Sequence, residues 1–439
     1  MAMSDQYLRD RKRVRVSRRR VLAQAAAGAT LLAARAAFPG GVWAATADAP
    51  ETTKAVFGFI ALTDAAPLII AKEKGFFAKY GMKDVEVKKE ASWGTTRDNL
   101  ELGAAGGGID GAHILTPLPY LMTTGKVTKN NQKVPMSILA RLNVNGQCIS
   151  VAESYKGSGV ALEAKGLRDQ FKKAAAAGKE VKCAMTFPGG THDMWIRYWL
   201  AANGVDPDKD ISLIVVPPPQ MVANMKVNAM EAFCVGEPWN AQLVAQKIGF
   251  TALTTGELWA NHPEKSLGMR SDWIDKNPKA AKAITMAVIA AAQWCDKAEN
   301  KPEMCEIVGR RDWFKVPVED ILGRSKGEID YGDGRKVADT PHIMKYWRDA
   351  ASYPFKSHEM WFLTEHVRWG ILPAEADRKA LIDQVNREDL WREAAKAVGV
   401  AAAEIPQSTS RGVEKFFDGK VFDPADPDAY LKTLAIKRV

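Results

Sequence analysis

The stretch "AMTFPGGTHDMWIRYWL", Ala184 to Leu200, places two glycines, a threonine and a histidine between an apolar run and a Trp-rich segment. Such a glycine pair before a helix can cradle an anion, expose a catalytic histidine or simply turn the chain. Thr191 is placed to cap the helix. His192 would sit in the first helical turn, where the macrodipole disfavours added positive charge, so a neutral imidazole donating one hydrogen bond is expected. Trp195, Tyr198 and Trp199 recur at helical spacing and read as core. The choice among the three roles depends on what else the chain brings to the same place.

Catalytic signatures are missing. The sequence holds no H-E-x-x-H, G-x-S-x-G or G-x-x-x-x-G-K-[ST], and no G-x-G-x-x-G after a strand. "GAAGGGIDG" (103–111) precedes a strand instead of opening a helix, which makes it a poor phosphate loop. The six histidines show no paired metal-ligand spacing, and a site built on His358 and His366 lacks a third ligand. Five cysteines (Cys148, Cys183, Cys234, Cys295 and Cys305) include no C-x-x-C. The first three lie in apolar strand-like runs, where buried thiols are the default. A Cys295–Cys305 bridge stays open.

These residues must be positioned by alternating elements. Strand-like runs at 54–60, 84–91, 109–115, 135–142, 181–187, 211–216 and 231–235 are separated by amphipathic helical patterns, including 66–81, 95–106, 192–204 and 220–228. Alternation of this kind predicts parallel α/β sheets. "NGQCISVAESYKGSGV" (145–160) joins two such blocks, and a second change falls near 247–258. Beyond residue 275 the pattern becomes helical. The loops after the strands read "ALTDAAP", "SWGTTRDN", "PGGTHD" and "GEPWN". Ligands in open α/β sheets bind outside the carboxyl ends of the strands, so these loops point to a small-ligand cleft.

Charge excludes one class of partner. The chain carries a formal +9 over 439 residues, but residues 1–47 hold nine Lys/Arg against two acids, leaving +2 for the rest. The body therefore offers no electrostatic case for nucleic acid. The leader has the anatomy of an export signal: "SRRRVLA", an Ala/Leu-rich stretch, then small residues at Val42-Trp43-Ala44 or Ala45-Thr46-Ala47. Its arginine pair, Arg18 and Arg19, matches the twin-arginine type. The apolar run Val21 to Ala34 is shorter than the ~20 residues a membrane span needs. The expected location is the periplasm.

Long ordered strings carry a family likeness. "GFIALTDAAPLIIAKEKGFFAKYGM", "EASWGTTRDN", "ILARLNVNGQ", "MTFPGGTHDMWIRYWLAANGVDPDKD", "FCVGEPWN" and "HPEKSLGMR" resemble the solute-binding component of bacterial nitrate/nitrite ABC importers. The resemblance implies an α/β, type II periplasmic-binding-protein fold: two α/β lobes with a ligand cleft and hinge, plus a helical C-terminal extension. The expected division is 1–47 for the signal, 52–147 with 246–439 for one lobe, and 148–245 for the other. By the same likeness, oxyanion contacts fall on Trp93, Gly146, Gln147, His192 and Lys265, with Thr191 and Glu237 beside them. The expected ligand is nitrate or nitrite, delivered by a monomer to a membrane permease and its ATPase subunits, with no cofactor, no metal and no chemistry performed. Nitrate is a planar, acceptor-only anion, suited to N–H donors, one cation and an aromatic wall with no protein acceptor aimed at it. Bicarbonate-binding relatives carry an acid where this chain has Lys265, and use calcium. Bicarbonate, cyanate and a periplasmic enzyme of the same fold are the alternatives, and a surface lysine paired with Glu264 is the alternative for Lys265.

Overall fold

The computed structural model describes residues 49–438, so the leader read from the sequence lies outside the described residues. Ten strands form two five-stranded sheets. β1 (Lys54–Phe59), β2 (Asp84–Lys89), β3 (Gly111–Leu115), β4 (Met136–Arg141) and β10 (Lys265–Arg270) make one, in the order β2-β1-β3-β10-β4. β5 (Gln147–Ala152), β6 (Lys182–Met185), β7 (Ser212–Val215), β8 (Ala232–Gly236) and β9 (Gly249–Thr254) make the other, in the order β7-β6-β8-β5-β9. The helices that bear on the site are α1 (Ala66–Glu73), α2 (Trp93–Leu102), α3 (Thr191–Ala202), α4 (Pro278–Cys295), α5 (Glu319–Lys326) and α6 (Lys356–Arg368).

The sheets are mixed, not parallel throughout. β1 pairs parallel with β2 and β3, and β6 pairs parallel with β7 and β8. β10 runs antiparallel to β3 and β4, and β5 antiparallel to β8 and β9. β5 and β10 are the strands the chain enters on crossing from one sheet to the other. They follow links from the other sheet, 142–146 and 255–264, that carry at most the single helical turn Thr255–Leu258, whereas parallel neighbours within one sheet need a longer crossover. Because they run backwards, their first residues lie at the carboxyl ends of their neighbours: Lys265 opposite Leu115, and Gln147 opposite Gly236. The strand pairing also moves the expected return point from 245/246 to beyond Thr254, since β9 hydrogen-bonds in the second sheet.

The periodic elements form close to where the sequence places them, with local exceptions. The helix expected over 66–81 breaks at Gly75, whose φ of +72° is left-handed, leaving α1 and a single turn at Phe76–Lys79. α4 buries nearly all its apolar residues between α1 and the helix Glu388–Val398. Among the described residues no helix is long and apolar enough to cross a membrane. All five cysteines are buried and free, Cys295 and Cys305 included.

The C-terminal extension touches both sheets' layers. The buried Glu359 of α6 pairs with Arg141 at the end of β4, 2.5 Å away. From the same helix, Trp361 stacks on Trp195 of α3 with centroids 5.0 Å apart. Arg324 of α5 donates to Thr251 Oγ1 on β9 at 3.0 Å.

Candidate functional site

The loop 186–193 is shaped by packing. Gly189 has φ +74°, a conformation that favours glycine, and its carbonyl accepts a 2.7 Å hydrogen bond from His366 Nε2. A Cβ on Gly190 would meet Leu115 Cδ1 at 2.6 Å. The close approach is therefore to the end of β3, the central strand of the other sheet. Gly190, not Thr191, occupies the cap position, so the helix has no side-chain cap, and Asp193 Oδ2 instead accepts from the Gly189 N–H of the preceding loop at 2.8 Å. Thr191 becomes the first helical residue, and its buried hydroxyl has no partner.

A chain of hydrogen bonds runs through the buried space between the strand ends. The Ile60 N–H donates to His113 Nδ1 at 3.4 Å, so the proton of His113 sits on Nε2 and is donated to Asp64 Oδ1 at 2.5 Å. Asp64 Oδ2 accepts from Gln147 Nε2 at 3.1 Å and from the Lys265 ammonium at 2.9 Å. That contact fixes the Gln147 amide with Oε1 toward His192. His192 must then donate from Nε2, at 2.8 Å, while its Nδ1 accepts from Thr186 Oγ1 at 2.6 Å. Lys265 Nζ lies 3.4 Å from His192 Nε2. These two N–H donors thus lie side by side with no common acceptor, and an oxygen lodged beside them would have to take the His192 proton over from Gln147 Oε1.

Trp93 opens α2 behind the Ser92 cap, whose Oγ accepts from the Thr95 N–H. Its fully buried ring lies 5.9 Å from Lys265 Nζ and 5.3 Å from the His113 ring, and its Nε1 has no partner. The Trp93 ring, the Lys265 ammonium and the His192 imidazole thus lie together at the strand ends, and Trp93 Nε1 and Thr191 Oγ1 are buried donors without partners.

The electrostatics hold the donors in their donor forms. Burial is the largest influence on His192 and, with the Lys265 charge, keeps it well below its ordinary pKa, hence neutral. Burial opposes the charge on Lys265, but Asp64 and Glu264 outweigh it and the ammonium persists. Burial likewise pushes Asp64 up, but Lys265 and His113 hold it well below the usual carboxylate range. Glu264 is raised, burial dominating over Lys265.

The expected residues do not all gather here. Trp93, Gln147, His192 and Lys265 do, and Thr191 precedes His192 with its buried hydroxyl unpartnered. Gly146 serves the turn into β5: its φ is +88°, and a Cβ would strike Met344 Cε at 2.2 Å. Glu237 is directed elsewhere, 2.7 Å from Arg324 Nη1, with its other oxygen accepting from the Ala241 N–H at 3.1 Å. Lys265 is no surface lysine; it does pair with Glu264, but both are fully buried. Asp64, His113 and Glu264 are the residues that pattern reading missed. Asp64 was visible in the loop after β1, yet as an acid it ran against an expected all-donor site. The Trp-rich helix does more than support, since Trp195 Nε1 donates to Glu264 Oε1 at 2.8 Å.

Comparison with known proteins gives concordant results. Residues 48–309 match the NMT1-like family. The chain is 64% identical over 398 residues to the nitrate/nitrite binding protein NrtA of Nostoc sp., covering 91% of this chain and 89% of that protein. It is 45% identical over 404 residues to the bicarbonate-binding protein CmpA of Synechococcus elongatus, covering 90% and 89%. The crystal structure of the periplasmic nitrate-binding protein NrtA from Synechocystis PCC 6803 matches with a TM-score of 0.86 at 65% identity, over 88% of this chain and all of that one.

Proposed function

The chain belongs to the NMT1-like family, together with the nitrate/nitrite-binding and bicarbonate-binding proteins it resembles, and from that premise we propose that it captures nitrate, and nitrite, in the periplasm for an ABC importer. The observation that carries this reading is the buried pairing of Lys265 Nζ with His192 Nε2–H, 3.4 Å apart with no acceptor common to both, the histidine donating to Gln147 Oε1 and the ammonium to Asp64 and Glu264. A small oxyanion supplies that acceptor, and the Trp93 face covers it. The unspent donors Trp93 Nε1 and Thr191 Oγ1 offer the remaining oxygens their hydrogen bonds.

Lys265 favours nitrate over bicarbonate bound with a metal, because the ammonium already occupies the place beside Asp64 and Glu264 where a cation would be held. In this reading the protein binds and releases without chemistry. Its two sheets belong to lobes that close on the anion, and closure creates the surface a permease recognises. It works as a monomer, with the basic leader directing twin-arginine export. Titration calorimetry of the mature chain with nitrate, nitrite and bicarbonate, each with and without calcium, tests the ligand. Saturable nitrate heat independent of calcium is expected; calcium-dependent bicarbonate heat with no nitrate response overturns the reading.

A further inference from the structure

The site has an unbalanced charge. The Lys265 ammonium is shared by two carboxyls, Asp64 Oδ2 at 2.9 Å and Glu264 Oε2, and all three side chains are fully buried. With both acids ionised this triad carries a net negative charge before any ligand arrives. A monoanion would then place three negative charges around one ammonium in space closed to water, where like charges are most costly.

The two acids differ in their hold on charge. Asp64 accepts from three donors: His113 Nε2, Gln147 Nε2 and Lys265 Nζ. Glu264 accepts from two, Trp195 Nε1 and Lys265 Nζ. The titratable or charged groups that act on Glu264 are Lys265 on β10, Asp64 in the turn after β1 and Cys234 on β8, while His113 on β3 and His192 on α3 act on Asp64 and Lys265. His262 touches the other face of Trp195, but its ring nitrogens are spent on Thr255 and the Pro263 carbonyl. His192 is a poor proton carrier, with an ammonium 3.4 Å from its Nε2.

We propose that the site takes up its monoanion together with one proton from solvent, and that Glu264 carries that proton as a neutral carboxylic acid. The proposal rests on the anion-binding reading above. Protonation removes one negative charge and turns an acceptor into a donor. It also releases the Lys265 ammonium from one of its two carboxylates, so that its charge is available to the ligand. Burial already raises the affinity of Glu264 for a proton, and an adjacent anion raises it further. The consequence is selective by ligand chemistry. Nitrate and nitrite, unprotonated at neutral pH, draw the proton from solvent, whereas bicarbonate brings its own O–H and can donate it to an ionised Glu264.

Calorimetry with sodium nitrate near pH 7, in buffers of different ionisation enthalpy, measures the proton directly. About one proton taken up per nitrate is expected, with affinity falling up to about tenfold per pH unit as pH rises. Glu264→Gln keeps an acceptor for Trp195 and mimics the neutral acid; it should bind nitrate with no proton uptake and little pH dependence. Difference infrared spectra of the wild-type protein supply the assignment without a variant: nitrate should raise a protonated-carboxyl C=O band that shifts on carbon-13 labelling of glutamate. Nitrate binding without proton uptake overturns this proposal alone, as does unchanged uptake in Glu264→Gln or a band insensitive to the label. Absence of nitrate binding at any pH overturns the ligand reading, and this proposal with it.

Discussion

One carboxylate oxygen of Asp64 holds both the Lys265 ammonium, at 2.9 Å, and the Gln147 amide, at 3.1 Å. The two donors come from the first residues of β10 and β5, in different sheets. A single acid therefore aligns the ammonium with the amide and, through the amide, sets the His192 tautomer. Asp64→Ala removes all three constraints and leaves Lys265 with Glu264 only. The expected loss of folding stability is about 3–5 kcal/mol, the range for breaking a buried ion pair, read as a lower urea midpoint at unchanged slope. A loss under about 1 kcal/mol would mean the cluster behaves as if solvated.

Lys265 supplies the positive charge. Lys265→Met retains much of the side chain's apolar length and deletes the ammonium. Nitrate affinity should fall by at least about 30-fold, the lower end for truncating one partner of a buried hydrogen-bonded charge pair. Calorimetry on a variant shown folded by circular dichroism checks this. Affinity within a few-fold of wild type would place the anion elsewhere.

How far the sequence leads is clear at these positions. The loops after β1, β2, β6 and β8 were legible because apolar runs ending in polar clusters mark strand ends. The roles of Gln147 and Lys265 followed from family likeness instead. Their placement depends on β5 and β10 running antiparallel, and strand direction leaves no periodic trace in one sequence. Thr191 had the residue type of a cap, yet Gly190 takes that position and no side chain caps the helix. Glu264 next to Lys265 left a surface pair open as the alternative, since nothing local reveals that both side chains are buried. Asp64 and His113 find each other across 49 residues, beyond any pattern of spacing.

In the proposed anion site, the neutral His192 donates its Nε2–H, which Gln147 Oε1 accepts in this structure, to the charged ligand. His192→Ala should weaken nitrate binding by about 1.5–3 kcal/mol. Burial and Lys265 keep its pKa well below the ordinary value, so its own titration should leave no inflection near neutral pH. A histidine ring resonance titrating near its ordinary value and assigned to His192 by its loss in the Ala variant would contradict the neutral assignment.

Glu237 separates stability from binding. Its carboxylate pairs with Arg324, 2.7 Å away, and accepts from Cys148 Sγ at 3.3 Å. Glu237→Gln should cost stability, by about 3 kcal/mol for a largely buried pair, while nitrate affinity stays within a few-fold. Thermal melts and calorimetry on one preparation distinguish the two effects. A large affinity loss without destabilisation would return Glu237 to the anion site.

The C-terminal extension should affect the site through one bond. His366 Nε2 on α6 donates to the Gly189 carbonyl, three residues before His192, and both groups are buried. His366→Ala leaves that carbonyl unpaired at a cost of about 1–3 kcal/mol. It also frees a loop whose Gly190 already packs against Leu115 with no room for a Cβ. If α6 positions the loop, His366→Ala should weaken nitrate binding several-fold, whereas His366→Gln, able to donate to the same carbonyl, should recover part of both losses. Lost stability with unaltered affinity would show that the loop keeps its geometry without this hydrogen bond, and would limit the extension to a structural role.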